Sequence, residues 1–143
     1  MLALVALGAA PATIAAQQAG ASVRITVTNL RNTDGVIMAC MTTNADRFPR
    51  CRDDAGSHRA TVSASGTLLL EFNNVLPGTY AIALLHDENE NGRADRALTL
   101  IPREGFGFSR DAPVRMGPPD FEDATFDVDN APINQTIRMR YLL

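Results

Sequence analysis

The segment TLLLEFNNVLPGTYAIALLHD, residues 67–87, contains two strand patterns separated by a Pro-Gly turn signal. In its first half Leu68, Leu70 and Phe72 stand at every second position, which is the period of a strand with one buried face. In its second half the apolar run 80–86 (YAIALLH) indicates a strand in the centre of a sheet. The segment therefore predicts a β fold built around residues 80–86.

Further strand patterns lie on both sides of this segment, and no stretch keeps a helical period. Val23, Ile25 and Val27 alternate with polar residues in the first of them. Residues 96–120 hold several Gly and Pro with little periodicity, so they are predicted to form a long ordered loop. The other candidate strands are residues 36–41, 59–64, 124–128 and 136–142.

These patterns predict an all-β fold, a roughly seven-stranded antiparallel sandwich of the immunoglobulin-like or transthyretin-like kind. Residues 20–143 are predicted to form one domain, because no linker divides them. The predicted core includes Val23, Val36, Leu68, Leu70, Phe72, Tyr80, Ile82, Leu84, Ile137 and Met139.

The N-terminal segment has the composition of a secretory signal. Residues 1–16 contain no charged side chain, are rich in Ala and Leu, and end in small residues. We therefore predict a signal peptide over 1–19 and a periplasmic or secreted protein. The alternatives are a disordered Ala-rich leader or a helix of the fold. Gly8 and Pro11 interrupt the apolar run, so no transmembrane span is expected in the mature protein.

The composition limits the partners that the protein can have. The 143 residues carry a net charge of −3, and every basic residue is a scattered arginine, since lysine is absent. A nucleic-acid partner is not expected, because phosphate binding requires clustered Lys and Arg. A carbohydrate-stacking platform is disfavoured, because the chain has no Trp and only 6% aromatic residues.

The two cysteines, Cys40 and Cys51, are predicted to form a disulfide. An isolated pair in an exported chain most simply forms one bridge, and closing this loop contributes roughly 3 kcal/mol in the loop-entropy model. A thiol redox centre lacks the C-x-x-C spacing. A zinc site would need more ligands than these cysteines and the scattered His58 and His86.

The stretch HDENENGRAD, residues 86–95, has oxygen ligands at the spacing that a hard cation uses. In a calcium loop they stand at relative positions 1, 3, 5, 7 and 9, with glycine at 6. Gly92 falls at the glycine position, while Leu98 stands where a bidentate Glu is expected at position 12. The candidate ligands for Ca²⁺ are Asp87, Asn89, Asn91, the Arg93 carbonyl and Asp95.

A metal-free polar hairpin loop is the alternative, because Asn-Gly is itself a strong turn signal. The sequence leaves both interpretations open. If the segment 103–109 folds back over the loop, Glu104 supplies the carboxylate that is missing at Leu98. In the same segment, Phe106 and Phe108 are expected to anchor the loop or to enter the core.

An ordered series of motifs resembles the bacterial exported family known as domain of unknown function 2141. The series comprises V-x-I-x-V, FNNVLPGTYAIALLHD, ENENGRAD, IPREGFGFSRDA and PPDFEDATF, over roughly residues 22–142. The resemblance implies an exported β-sandwich similar to transthyretin-like or carboxypeptidase-regulatory domains, and it implies no established activity. The resemblance identifies several residues as motif positions but assigns them no role. They are Asp87, Asn89, Asn91, Gly92, Asp95, Glu104, Gly105 and Phe106.

Two classes of function remain. The first, which we favour, is an exported non-enzymatic binding or structural module of the bacterial cell envelope. Its partner would be an envelope protein, a glycan or a small ligand. The alternative is a small hydrolase that uses His86, Asp87 and Glu104, with Ser109 as the candidate nucleophile. Ser109 lacks the G-x-S-x-G context, and His86 is expected to be a strand-end residue hydrogen-bonded to the acidic loop.

Overall fold

The computed structural model describes residues 8–14, 19–51, 53–93, 96–97 and 101–143. The strands are β1 Ala21–Thr28, β2 Val36–Thr42, β3 His58–Ser63, β4 Leu69–Val75, β5 Gly78–Asp87, β6 Arg96–Ala97, β7 Ile101–Pro102, β8 Gly105–Phe108, β9 Thr125–Val128 and β10 Ile133–Arg138. The helical elements described are a 3₁₀ turn, Ser109–Asp111, and the single-turn helix α1, Phe121–Ala124. The predicted all-β class is confirmed.

Two sheets form the sandwich. The three-stranded sheet has the order β10-β1-β4. The five-stranded sheet has the order β3-β2-β5, and β5 then pairs with β8 along its C-terminal half and with β9 along its N-terminal half. β6 and β7 pair as a separate hairpin. The long strand β5 therefore holds the five-stranded sheet together, as the apolar run 80–86 predicts.

The main core lies between the two sheets. Alternate residues of β1 and β5 supply much of it, and Ile25, Ile82 and Leu84 are almost fully inaccessible to solvent. Leu68 packs against this core while partly exposed. Among the predicted core residues, those buried there are Val23, Leu70, Phe72, Tyr80, Ile82, Leu84, Ile137 and Met139.

Val36 was assigned to the wrong face of β2. The residue that enters the core is Ile37, which is 0% exposed, and Ala39 and Met41 follow it on the same face. Val36 lies on the outer face, opposite Asp87 of β5. In the sequence VIMACM both faces of the strand are apolar, so alternation cannot identify the inner one.

The predicted loop over residues 96–120 contains three strands, β6, β7 and β8, that the sequence pattern does not reveal. β8, with the sequence GFGF, pairs antiparallel with β5 so that Gly107 lies opposite Leu84. A Cβ atom added to Gly107 would lie 2.6 Å from Ile137 Cγ2, and one added to Gly105 would clash with the Tyr141 ring. The glycines therefore allow β8 to approach the C-terminal segment closely.

The first and last strands pair in parallel, which the antiparallel prediction did not foresee. Val23 pairs with Ile133 and Thr28 with Arg138, both in the same chain direction. β10 follows β9, which belongs to the other sheet, so β10 enters from across the sandwich rather than through a hairpin. Only a tight hairpin forces neighbouring strands to run antiparallel.

A second apolar cluster covers the outer face of the five-stranded sheet. Ala81 and Ala83 of β5 point outward into it and are buried, together with Phe108 of β8. The Phe48 ring stands edge-on to the rings of Phe108 and Phe121, with a centroid distance of 5.8 Å to each. The segments 43–51 and 109–124 therefore cover this face. Phe108 and the partly buried Phe106 take the anchoring role predicted for them.

Candidate functional site

The acidic loop begins where β5 ends. Alternation along β5 turns His86 toward the core and Asp87 toward the outer face, and both side chains are 0% exposed. The Asp87 carboxylate accepts hydrogen bonds from two backbone amides of the loop, that of Gly92 at 2.7 Å and that of Asn91 at 3.2 Å. Hydrogen bonds to a charged group contribute about 1.5–3 kcal/mol each, so Asp87 stabilises the loop conformation.

Two asparagine side chains continue this pattern of loop hydrogen bonds. Asn89 Oδ1 accepts from the backbone N–H of Asn91 at 3.2 Å, and Asn91 Oδ1 accepts from that of Arg93 at 2.9 Å. Gly92 has a φ of 72°, a conformation that favours glycine, and a Cβ atom added there would meet nothing within 4 Å. The glycine is therefore required for its backbone angle rather than for space.

Glu104 lies against the acidic loop, as expected. The segment that carries it is not a loop folded back over the site, because strand β8 begins at the next residue. The Glu104 side chain is 4% exposed, and Oε1 accepts a hydrogen bond from the backbone N–H of Glu88 at 3.2 Å. The structure therefore brings Asp87, Asn89, Asn91, Arg93 and Glu104 into one region. Asp95, the remaining candidate ligand, lies outside the described residues.

The side chains of this region offer oxygen atoms, which are the ligands that Ca²⁺ and Mg²⁺ prefer. A carboxylate has about four lone-pair sites, and two amides use two of those on Asp87. Among the described residues, no group of three or more His, Cys, Asp or Glu side chains could hold a metal ion. The calcium site therefore stays a prediction, and its oxygens would have to include amide and carbonyl groups.

A network of polar side chains surrounds His86, and its members come from three separate segments. The His86 Nε2 atom lies 2.7 Å from the Asp34 carbonyl oxygen, so Nε2 donates, and Nδ1 lies 2.8 Å from the Tyr141 hydroxyl. Arg31 lies over the Tyr141 ring, with its Cζ atom 4.7 Å from the centroid. The partners of His86 are thus the 32–35 turn and the C-terminal segment, whereas we had expected the acidic loop.

Arg31 and Glu88 connect this network to the acidic loop. The Arg31 Nε atom donates to Glu88 Oε1 at 2.8 Å, and Asn32 Nδ2 donates to Glu88 Oε2 at 3.0 Å. Desolvation raises the pKa of the Glu88 carboxyl, but hydrogen bonds from Asn32 and Arg31 outweigh it, so the pKa lies below its ordinary value. Burial raises the pKa of the Tyr141 hydroxyl. The sequence holds no local signal for these contacts, because their members are distant along the chain.

Ser109 and His86 have different hydrogen-bond partners, and Ser109, in the 109–111 turn, contacts β5 at Ile82 rather than near His86. The Ser109 hydroxyl donates to the Ala124 carbonyl oxygen at 2.5 Å and accepts from the backbone N–H of Ile82 at 2.8 Å. Ile82 precedes His86 by four residues, a distance of about 13 Å along a strand. The nucleophile–base contact of a serine hydrolase is therefore not formed between these two residues.

Cys40 and Cys51 form the predicted disulfide, with their Cα atoms 5.7 Å apart. The bridge joins β2 to the end of the 43–51 segment that carries Phe48 over the second cluster. It therefore fixes both ends of a polar loop whose main apolar anchor is one aromatic ring.

These features define a disulfide-bonded β-sandwich with an acidic loop at the end of its central strand. The family model described as "Uncharacterized protein conserved in bacteria (DUF2141)" matches residues 25–136, and the chain belongs to this family. Comparisons with curated proteins and with solved structures gave no significant match. No helix in the described part of the chain is long and apolar enough to cross a membrane.

Proposed function

We propose that this protein is an exported, non-enzymatic binding or structural module of the bacterial cell envelope, with an acidic loop stabilised by Ca²⁺. The observation that carries the cation proposal is the Asp87 carboxylate. It is inaccessible to solvent, lies at the end of the central strand, and holds the backbone of a loop that carries Asn89 and Asn91. A rigid strand end positions ligands more firmly than a free loop does.

The residues that would hold the ion are Asp87, Asn89, Asn91, the Arg93 carbonyl, Asp95 and Glu104. Carboxylates brought together in one loop repel one another, and a bound Ca²⁺ relieves that repulsion. Because Glu104 contacts the loop backbone at Glu88, its carboxylate is a suitable extra ligand in place of the glutamate that position 12 lacks. The ion would then tie the loop to the residue that precedes β8.

The disulfide supports the export proposal. Disulfides persist in oxidising compartments and are rare in the cytosol. Protein purified from the periplasm should have no free thiol and should begin within the first residues after the predicted signal peptide, 1–19. Two free thiols, or an intact leader on the protein in that compartment, would contradict export with cleavage.

Thermal unfolding after chelator treatment tests the cation proposal. Ca²⁺ should raise the melting temperature by mass action, corresponding to about 2.7 kcal/mol at a hundredfold excess over the dissociation constant. Mg²⁺ should raise it less, because Mg²⁺ demands octahedral geometry and gives up its water reluctantly. Asp87→Ala should abolish the Ca²⁺-induced shift, and Glu104→Gln should reduce it.

Asp46→Ala is the matched control, since Asp46 is an exposed carboxylate in the disulfide loop, away from the acidic loop. The quantity to compare is the Ca²⁺-induced shift within each variant, because Asp87→Ala also removes hydrogen bonds that stabilise the apo loop. If millimolar Ca²⁺ leaves the melting temperature of the wild-type protein unchanged, the loop is a solvated turn.

A further inference from the structure

An open cleft lies on the covered side of the five-stranded sheet, on the far side of Ile82 from the acidic loop. Its volume is about 530 Å³, and most of its lining residues are exposed, so the cleft is open to solvent. The cleft lies between the 109–111 turn and helix α1. Its lining residues are Arg110, Ala112, Pro113, Arg115, Met116, Gly117, Pro118, Pro119, Asp120 and Asp123.

The rim of this cleft carries unusual backbone strain. Arg110 and Asp111 are consecutive non-glycine residues with φ angles of 58° and 50°. Left-handed conformations are uncommon for such residues, and two in succession persist only where the surroundings fix them. An observed outlier of this kind is a reason to look for a function at the same place.

Several contacts hold the strained turn. Ser109 is buried, and its hydroxyl bonds Ile82, the residue of β5 that lies between the partners of β8 and β9. The backbone N–H of Arg110 donates to Gln135 Oε1 at 3.3 Å. Arg140 pairs with the Asp111 carboxylate at 3.0 Å. The turn is thus attached to β5, β10 and the C-terminal segment, so the strain is built into the fold.

The charges of the lining indicate the class of ligand. Two guanidinium groups, those of Arg110 and Arg115, are balanced by the carboxylates of Asp120 and Asp123. The two carboxylates would repel a phosphate or another polyanion, and the two guanidinium groups would repel a metal cation. A ligand with one carboxylate and one ammonium group matches both pairs, because arginine binds carboxylate through paired hydrogen bonds and aspartate accepts from ammonium.

The wall of the cleft is suited to a small flexible ligand. Pro113, Pro118 and Pro119 have fixed φ angles, so the wall loses little conformational entropy when a ligand binds. None of the lining residues is aromatic, so a planar ring would have no aromatic partner in the cleft. These properties favour an aliphatic backbone over a nucleobase or a sugar.

We propose that this cleft binds a small zwitterion, a free amino acid or a short unblocked peptide, with its carboxylate at Arg110 and Arg115 and its ammonium group at Asp120 and Asp123. The inference rests on the proposed binding role of the protein, and it does not depend on the cation site. Asp111 is a positioning residue for the turn, and the Arg110 side chain at the rim donates a hydrogen bond to the Thr125 carbonyl oxygen at 3.4 Å.

The test is a titration of the ¹⁵N-labelled mature protein with triglycine, followed by amide chemical shifts. Triglycine should bind saturably and shift the resonances of residues 110–123. N-acetyl-triglycine amide, which carries neither charge, should not bind. Acetyl-triglycine and triglycine amide, which carry one charge each, should bind more weakly than triglycine.

Arg115→Ala and Asp123→Asn change exposed residues, so both variants should remain folded. Each should weaken triglycine binding about tenfold, which corresponds to the loss of one charge-assisted hydrogen bond. Arg59→Ala, which removes an exposed arginine on β3, is the matched control and should bind as the wild type does.

Three results would overturn the inference: no saturable shift over the concentration range in which triglycine dissolves, equal binding of the fully blocked peptide, or shifts located away from residues 110–123. If acetyl-triglycine binds as tightly as triglycine, and Asp123→Asn leaves that affinity unchanged, the cleft is an anion site instead. Asp87→Ala should keep peptide binding while it loses the Ca²⁺ effect, so the two proposals fail separately.

Discussion

The outer face of one sheet is exposed to solvent, whereas the outer face of the other is covered by loop segments. On the three-stranded sheet, Thr26 of β1 and Thr136 of β10 lie opposite each other and are exposed. On the five-stranded sheet, Ala83 of β5 and Phe108 of β8 lie opposite each other and are buried under Phe48. The outer face of the three-stranded sheet exposes polar strand residues to solvent. The outer face of the five-stranded sheet is apolar and is covered by two loop segments.

This difference shows where the chain has concentrated its irregular structure. The covering segments carry the disulfide, the strained 109–111 turn and the cleft with its charged lining. Binding residues are commonly placed on loops that a rigid scaffold positions, and here the scaffold is β5 with its partners. We therefore expect a ligand to bind on the covered face. The outer face of the three-stranded sheet, the bare face, needs only polar side chains in contact with solvent.

Replacing the aromatic residue at the centre of the covered face should have the largest effect. Phe108→Ala removes a ring that is 2% exposed, and we expect it to lower the free energy of unfolding by about 3–5 kcal/mol, measured in urea. Thr26→Ala on the bare face is the control, with an expected change within about 0.5 kcal/mol. A Phe108→Ala cost close to that of the control would show that the second cluster does not stabilise the fold.

The spacing of large apolar residues at every second position predicted much of the fold. It identified the inner faces of β1, β4 and β5 and the buried residues at the end of β10. It failed at Val36, where both faces of β2 are apolar, and at β8, where glycines replace the usual strand residues. Alternation also could not predict that β10 runs parallel to β1, because it indicates which residues are buried and not the direction of a strand.

The candidate site was predictable to the extent that it is local. The spacing of Asp87, Asn89 and Asn91 placed the acidic loop at a strand end, and Glu104 was expected near it. Tyr141, which contacts His86, and Arg31, which lies over the Tyr141 ring, were missed because only the tertiary fold brings them there. The cleft was missed for the same reason, since most of its charged residues come from separate motifs of unassigned role, and only the fold brings them together.

The disulfide sharpens the comparison between the two faces with an effect of intermediate size. The double variant Cys40→Ser with Cys51→Ser should lose about 2–4 kcal/mol of stability, because the unfolded chain is no longer constrained. Its 43–51 segment should also become more susceptible to proteolysis, since Phe48 is then its main anchor. The bare face offers a control, because trypsin cleavage after Arg24 in β1 should remain slow in the native state. Unchanged stability and proteolysis would mean that Phe48 alone holds the loop.

The smallest expected effect concerns His58 on β3, whose ring packs beside the main core. Its ring lies 5.8 Å from that of Phe72 and 6.0 Å from that of Tyr80, and burial lowers the pKa of the imidazole from its ordinary 6.5.

Because the folded pKa of His58 is depressed, the unfolded chain takes up the proton first as the pH falls. The stability contribution of neutral His58 is therefore complete above about pH 6.5 and is lost as the pH falls through the folded pKa. His58→Phe keeps a ring against Phe72 and Tyr80 but cannot titrate. Between about pH 8 and 5 the melting temperature of the wild-type protein should fall more than that of this variant. Parallel curves would show that the His58 edge is as open to solvent when folded as when unfolded, and the main core would then be less well closed on the β3 side than the second cluster is beneath Phe48.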